Sequence, residues 1–402
     1  MTGGRTTSRQ PSRRRRAAAL GIVSLVALLM VTLPGAGLAE GHVSNRGRAA
    51  DRALDRALRA LVAMPSGPPG VVAVVQRGRS IRLHRAGTGD LRTESPISAS
   101  DHMRLASLSK AFSGAAALAL VAQRKLSLTD TVGRRLPWLP RAWWPVTLGQ
   151  ALNHTSGLPD YTASPEWQQA FAMALHGTPP PAWLLAYPRR DRLVFKPDSR
   201  YAYSNSDNIV VGLMIQAATG RSYEQELARL VFRPLGLRQT SLPAGFRMPR
   251  PYVHGYGLPS PAREDVSDLA SAAWLWASGG IVSTPLELNR FIRAYAGAKL
   301  FGRNVQAQQL RFVPGNSEPS GPGQNSAGIG IFRYRTRCGT VYGHTGNFFG
   351  YTQFAAATLD GRRSVTVSIN EQLNQTSTGQ ALAVFRRLRA AEGTAVCAAL
   401  AR

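Results

Sequence analysis

The chain has 402 residues, 49 of them Lys or Arg against 22 Asp or Glu, for a formal charge of +27, and 44% of its residues are apolar. That length exceeds one average domain and can bury a large core, as two domains or as one large domain with an insertion. The cations run along the whole chain, and neither an aromatic-interleaved basic patch nor a zinc spacing accompanies them; this argues against a nucleic-acid partner and leaves a preference for anionic surfaces, membrane or cell-wall polymer, as the electrostatic alternative.

Six arginines occur by Arg16, Ala17 to Leu33 is almost wholly apolar, and Pro34-Gly35-Ala36-Gly37-Leu38-Ala39 offers small residues at the spacing of a cleavage site. Residues 1–39 therefore read as an export signal cut after Ala39, which places the mature chain in the periplasm or outside the cell. The competing reading keeps the apolar run as an N-terminal membrane anchor, because it sits at the lower edge of the length that spans a bilayer.

Past the signal, leucine and alanine recur at helical spacing from Asp51 to Met64. The β-branched run Gly70–Gln76 and the alternating run Ser80–His84, joined through Arg77-Gly78-Arg79, predict a hairpin, and Gly87-Thr88-Gly89-Asp90 predicts the next turn. From Leu118 to about Ala272 the pattern is mostly helical, with helix starts at Leu128–Val132 and Val146–Leu152, and Thr178–Pro197 reads as a surface loop. His154, in His154-Thr155-Ser156-Gly157-Leu158, reads as a structural loop histidine, with a catalytic role as the alternative. Strand character returns in Ala327–Tyr334, Val341–His344, Thr352–Ala356 and Ser364–Ile369, with a hairpin turn at Asp360-Gly361, before a closing helix over Gln380–Ala391. One domain over 46–402 follows, its sheet region (46–115 and 276–402) split by an inserted helical region (116–275). Cys338 and Cys397 fit two readings, a disulfide suited to an exported protein or two separate buried thiols.

The stretch Arg104–Gly114 carries the chemistry. Ser107 and Lys110 stand three residues apart at the start of an alanine-rich apolar run. At helical spacing such a pair shares one face, about 5–6 Å apart. A lysine buried under that run loses affinity for its proton and can serve as the base for the serine. The chain has only four lysines (110, 125, 196 and 299), and no other has serine three places before it.

Two further motifs follow in order, Tyr203-Ser204-Asn205 and His344-Thr345-Gly346, each the one instance of its pattern in the chain. With Ser107-x-x-Lys110 they make the chain resemble the serine β-lactamase and penicillin-binding superfamily, in the branch of class C β-lactamases, D-alanyl-D-alanine carboxypeptidases and related esterases. Arg233-Pro234-Leu235-Gly236-Leu237 and Ser278-Gly279-Gly280-Ile281-Val282-Ser283-Thr284 extend the resemblance over roughly residues 52–390. It implies an α/β fold, an antiparallel sheet flanked by N- and C-terminal helices with a large inserted all-helical region. In that frame Ser107 is the nucleophile, Lys110 takes its proton and Tyr203 is a second base or the proton shuttle. Asn205 bonds the substrate amide, His344 and Thr345 hold a substrate carboxylate, and Gly346 lets substrate approach the backbone. The N–H groups of Ser107 and Asn347 form the oxyanion hole. No metal or organic cofactor is implied.

The implied function is that of an exported serine hydrolase working through an acyl-serine. D-Ala-D-Ala cell-wall peptides lead as substrate; an esterase acting on small or lipid-like esters and a non-hydrolytic penicillin-binding sensor are the alternatives. Partners are accordingly a peptide, β-lactam or ester substrate, with peripheral or N-terminal membrane attachment as a further option and no nucleic acid. The chain departs from the pattern at three places. Histidine replaces lysine at 344, which counts against efficient β-lactam hydrolysis, Asn347 replaces a small hydroxyl residue, and Asp198 stands where glycine is common.

Overall fold

Leu54, Leu58 and Leu61 lie at helical spacing with arginines between them, and this stripe folds Asn45–Val62 as helix α1 with all three leucines fully buried. The computed structural model describes residues 45–188, 192–257, 263–314, 320–374 and 376–401, so the expected export signal lies outside the described residues. Strand β1 (Gly70–Arg77) turns through Gly78 into β2 (Ser80–Asp90). The turn expected at Gly87–Asp90 is instead the end of β2, and the chain turns after it, over residues 91–94. Those glycines serve close packing: a Cβ on Gly87 would lie 2.0 Å from the Pro69 carbonyl oxygen, and one on Gly70 would lie 2.2 Å from that of Thr88.

After the short β3 (Ser95–Pro96), β4 (Met103–Arg104) leads to helix α2 (Ser109–Ala122). Both expected helix starts in the helical region are capped by threonine, Thr131 on Val132–Arg135 and Thr147, in a capping box with Gln150, on Leu148–Leu152. Helix α3 (Asn205–Thr219) ends on left-handed Gly220. The chain returns through β5 (Val282–Ser283), which pairs with β4 in a separate two-stranded sheet, and α4 (Pro285–Ala296).

The single strand expected over Ala327–Tyr334 is two, β6 (Gln324–Ala327) and β7 (Phe332–Thr336). Between them Gly330 adopts φ 67, donates its N–H to the Leu152 carbonyl at 2.8 Å, and packs so tightly that an added Cβ would lie 2.9 Å from Gly114 Cα. Strands β8 (Gly339–Phe348), β9 (Tyr351–Ala357) and β10 (Arg363–Ile369) follow, then the long helix α5 (Gly379–Leu400).

The large sheet has the order β3-β2-β1-β10-β9-β8-β7-β6 with antiparallel pairing throughout, so chain segments distant in sequence meet at the β1–β10 pair. Helices α1 and α5 cover one face over Val71, Val75, Phe354 and Val367. Helix α4 lies against the other face, and the apolar core of the helical region is continuous with that side. The architecture is thus an α/β fold with an antiparallel sheet between terminal helices and an inserted helical region.

Cys338, in the β7–β8 turn, is bonded to Cys397 of α5 with their Cα atoms 5.2 Å apart. Of the two sequence readings the disulfide is the one formed. It closes a loop of 59 residues, so the double variant Cys338→Ser/Cys397→Ser should lose about 2–4 kcal/mol of stability. Its urea midpoint should fall well below that of the oxidised parent, whereas equal midpoints would show that the bridge does not staple α5.

Candidate active site

The nucleophile stands in a strained turn. Leu105 N–H bonds the Ile281 carbonyl at 2.9 Å, Ala106 adopts φ 50, and Ser107 sits in a 3-10 turn over Ala106–Leu108 immediately before α2. A left-handed alanine costs about 1–2 kcal/mol, which the surrounding packing overrides. Gly346 of β8 presses on this turn: a Cβ there would lie 2.1 Å from the Leu105 carbonyl oxygen and 3.2 Å from Ser107 N. The resemblance has this glycine admit substrate; its observed neighbour is the nucleophile's own backbone.

Lys110, in the first turn of α2, is 1% exposed. Its Nζ lies 2.7 Å from Asn205 Oδ1, 2.7 Å from the Ser278 carbonyl and 3.2 Å from Ser107 Oγ. Burial lowers its pKa from 10.5 to about 7, against the opposing pull of Asp160 and Asp207. A neutral amine has two hydrogens and one lone pair. Asn205 Oδ1 and the Ser278 carbonyl only accept, so they take the hydrogens, and the lone pair is left for the Ser107 hydroxyl proton.

Asn205 opens α3. Its Oδ1 accepts from Lys110, and its Nδ2 donates to Asp160 Oδ2 and to Thr162 Oγ1, each at 3.0 Å. Both ends of the amide are engaged by protein, so the geometry makes Asn205 a positioning residue for the lysine. Tyr203 lies two residues earlier, its ring centroid 4.8 Å from Lys110 Nζ. Its hydroxyl is buried and makes no hydrogen bond of ordinary geometry among the described residues. Burial pushes its pKa far above the usual phenol value, with the neighbouring Ser107 acting the other way. Tyr203 therefore holds its proton, as a shuttle must before it delivers one.

His154 supports Tyr203 from behind. The ring centroids are 4.5 Å apart, the His154 carbonyl accepts from Ala202 N–H at 2.9 Å, and His154 Nδ1 lies 2.7 Å from Asp207 Oδ2. Burial drives His154 down to about 3 and Asp207 well up, so both partners are pressed toward neutrality. This is the structural role read for His154. Asp198, at φ 65, holds a left-handed conformation that suits glycine, and its carboxylate accepts from Gln150 Nε2 at 2.6 Å and Thr155 Oγ1 at 2.8 Å.

His344 does not face the cleft. It is 1% exposed, its Nδ1 lies 2.5 Å from the Thr345 carbonyl, and it lines a small interior cavity with Lys110, His154 and Asn208. Burial, with Lys110 and His154 adding to it, holds its pKa down to about 3. The expected imidazolium for a substrate carboxylate is therefore corrected to a neutral interior histidine, because the pleat of β8 sends residues 344 and 345 to opposite faces. Thr345 does face the cleft, with its Oγ1 buried and free of ordinary hydrogen bonds. The Asn347 side chain also lines it, while Asn347 Nδ2 donates to the Leu373 carbonyl and Asn374 Oδ1, tying β8 to that loop. Strand β7 pairs with β8 only as far as Gly343, so residues 344–348 present an open strand edge beside Ser107.

The cleft, of about 240 Å³, also contains a residue the motifs do not predict, Arg389 of α5. Its guanidinium lies 4.6 Å over the Phe385 ring, and Nη1 donates to both Glu392 oxygens at 2.7 Å. Nε is buried and unpartnered among the described residues. Arginine is too common in this chain to stand out, so composition hides it. A larger cavity of about 490 Å³ lies on the other side of Tyr203, bordered by Asp160 and Glu166.

A serine bonded to a buried, deprotonatable lysine beside the open edge of an antiparallel sheet defines a serine hydrolase of the β-lactamase fold. The Beta-lactamase family model matches residues 54–388, and the chain belongs to that family. Among curated proteins it is similar to a D-aminopeptidase of Cereibacter sphaeroides, 32% identical over 208 residues, which are 51% of this chain and 39% of that protein. The chain thus spans about two fifths of the length of that relative. Among solved structures it is similar to a D-stereospecific amidohydrolase from a Streptomyces species (TM-score 0.72, 29% identity, covering 83% of this chain and 97% of that one). A D-amino acid amidase from Ochrobactrum anthropi shares the fold (TM-score 0.75, 21% identity, covering 85% and 97%).

Proposed function

We propose that this chain is an exported amidohydrolase that cleaves peptides or amides of D-residues through an acyl-Ser107 intermediate, with D-Ala-D-Ala-type cell-wall peptides as the leading substrate. Neutral Lys110 takes the Ser107 proton as Oγ bonds the substrate carbonyl carbon. The N–H groups of Ser107 and Asn347 receive the oxyanion. Collapse breaks the C–N bond while Tyr203 delivers a proton to the leaving nitrogen and is reprotonated through Lys110. Water then hydrolyses the ester by the reverse proton path.

The observation that carries this reading is that Tyr203, Thr345 and Arg389 line the same cleft as Ser107, each with a buried polar atom (Oη, Oγ1 and Nε) that makes no hydrogen bond of ordinary geometry among the described residues. Buried polar atoms are ordinarily paired, so a cluster of under-bonded ones beside a cleft fits a ligand whose own groups complete the bonding. The Nε–Nη2 edge of a guanidinium matches a carboxylate in two parallel bonds. Glu392 is bonded to Nη1 and not to that edge. The names of the similar proteins, a D-aminopeptidase and a D-stereospecific amidohydrolase, support an amide of a D-residue.

Intact-mass spectrometry with a penicillin, a D-Ala-D-Ala peptide and a nitrophenyl ester tests the proposal. The expected result is a penicillin adduct on the parent that is absent from Ser107→Ala, together with peptide turnover. Rapid ester turnover without peptide cleavage would move the esterase reading ahead, and persistent adducts without any turnover would favour the sensor.

A further inference from the structure

We propose that the outer face of α1 and α5 docks this protein on an anionic phospholipid surface. Arg52, Arg56 and Arg59 are exposed on α1 at i, i+4 and i+7, hence on one stripe, and Arg386 and Arg387 are exposed on α5, which packs alongside. The acids of α1 do not neutralise that stripe. Asp51 is bound to Arg77, and Asp55, although partly exposed, lies 2.7 Å from His84 Nδ1. On α5, Glu392 is bound to Arg389. None of the five guanidinium groups has a hydrogen-bonded or ionic partner among the described residues.

Between the two helices lies a groove of about 300 Å³ with Arg56 on one wall, Arg387 on the other and alanines 57, 60 and 390 along it. Two guanidinium groups over an apolar floor suit a phosphate head group, because arginine pairs phosphate through paired N–H bonds. Clustered arginines also draw a folded domain toward a negatively charged leaflet.

One observation favours a bilayer over a soluble polyanion. The apolar run ends at Leu33 and α1 begins at Asn45, so the arginine stripe lies on the first described element after that run, which an export signal and a membrane anchor alike insert into a bilayer. The cleft residues Phe385 and Arg389 are on a different side of α5 from Arg387, Ala390 and Thr394, so docking through the groove leaves the cleft open to substrate.

The test is cosedimentation of the full chain with vesicles of phosphatidylcholine alone and of phosphatidylcholine mixed with phosphatidylglycerol, at low and high salt. Partition onto the phosphatidylglycerol vesicles should exceed that onto phosphatidylcholine by roughly tenfold or more at low salt and collapse at high salt. Arg52→Gln/Arg56→Gln/Arg59→Gln and Arg386→Gln/Arg387→Gln should each lower it several-fold, while hydrolysis of a soluble nitrophenyl ester stays at the parental rate, which separates this proposal from the catalytic one. Either set serves if the other fails to fold. Partition that is equal on both vesicle types and insensitive to salt belongs to the apolar run and would overturn the proposal. So would parental partition by both variant sets, or arginine-dependent retention on soluble polyphosphate without vesicle binding, which would assign the face to an anionic polymer.

Discussion

The Lys110→Met variant is expected to acylate Ser107 about a thousandfold or more slowly than the parent, because Lys110 Nζ is bonded to the serine and the neighbouring Tyr203 is held in its protonated form by burial. In the parent, kcat/KM should rise about tenfold per pH unit below about 7 and level off above it, since the lysine must be deprotonated to act and burial sets its pKa near that value. The same shift appears in stability. With a folded pKa of about 7 against 10.5 for the free side chain, the unfolded chain holds a proton between those values that the folded chain lacks. Parental stability relative to Lys110→Met should therefore climb across that window, by several kcal/mol in all, and be flat below about pH 7, where lysine is charged in both states. Urea unfolding of both proteins across the range checks this. A pH-independent stability difference, or a parental rate that is flat below neutrality, would remove Lys110 as the base.

Much of this site is legible in the sequence because its chemistry is local. Ser107 and Lys110 are three residues apart on one turn, and Tyr203 and Asn205 flank the start of α3. What the linear pattern conceals depends on tertiary placement. The alternation of β8 is visible in the sequence, but which face meets the cleft depends on where α2 and α5 pack; the motif alone therefore does not show that His344 turns inward and Thr345 lines the cleft. The glycines at 87, 330 and 346 carry the same lesson. Gly87 suggests a turn, Gly330 the interior of a strand and Gly346 an opening, whereas the structure uses each missing Cβ to bring two backbones together. Asp207 carries no signal of its own, since an acid in a helix's first turn is explained by the helix alone. Arg389 is invisible for a statistical reason and for a geometric one: it is one arginine among many, and only the packing of α5 against the sheet carries it to Ser107.

With His344 neutral, the proposed selectivity for carboxylate-bearing substrates falls to Arg389. Removing that guanidinium should raise KM for a peptide with a free C-terminal carboxylate and lower kcat/KM by roughly 10- to 100-fold, the worth of a charge-assisted pair. A neutral nitrophenyl ester, which has no carboxylate to present, should change little. Glu392 is 1% exposed and loses its partner in a single variant, so the double variant Arg389→Gln/Glu392→Gln is the cleaner comparison and should keep the fold. Because a guanidinium stays charged throughout the working range, the parental preference for carboxylate over ester should not vary with pH between about 6 and 9. A histidine receptor would lose it over that interval. His344→Gln should accordingly leave the preference intact, its effects falling equally on both substrates. Equal losses for peptide and ester in the arginine variant would show that Arg389 merely packs α5 against the cleft, and the esterase reading would then overtake the peptidase one.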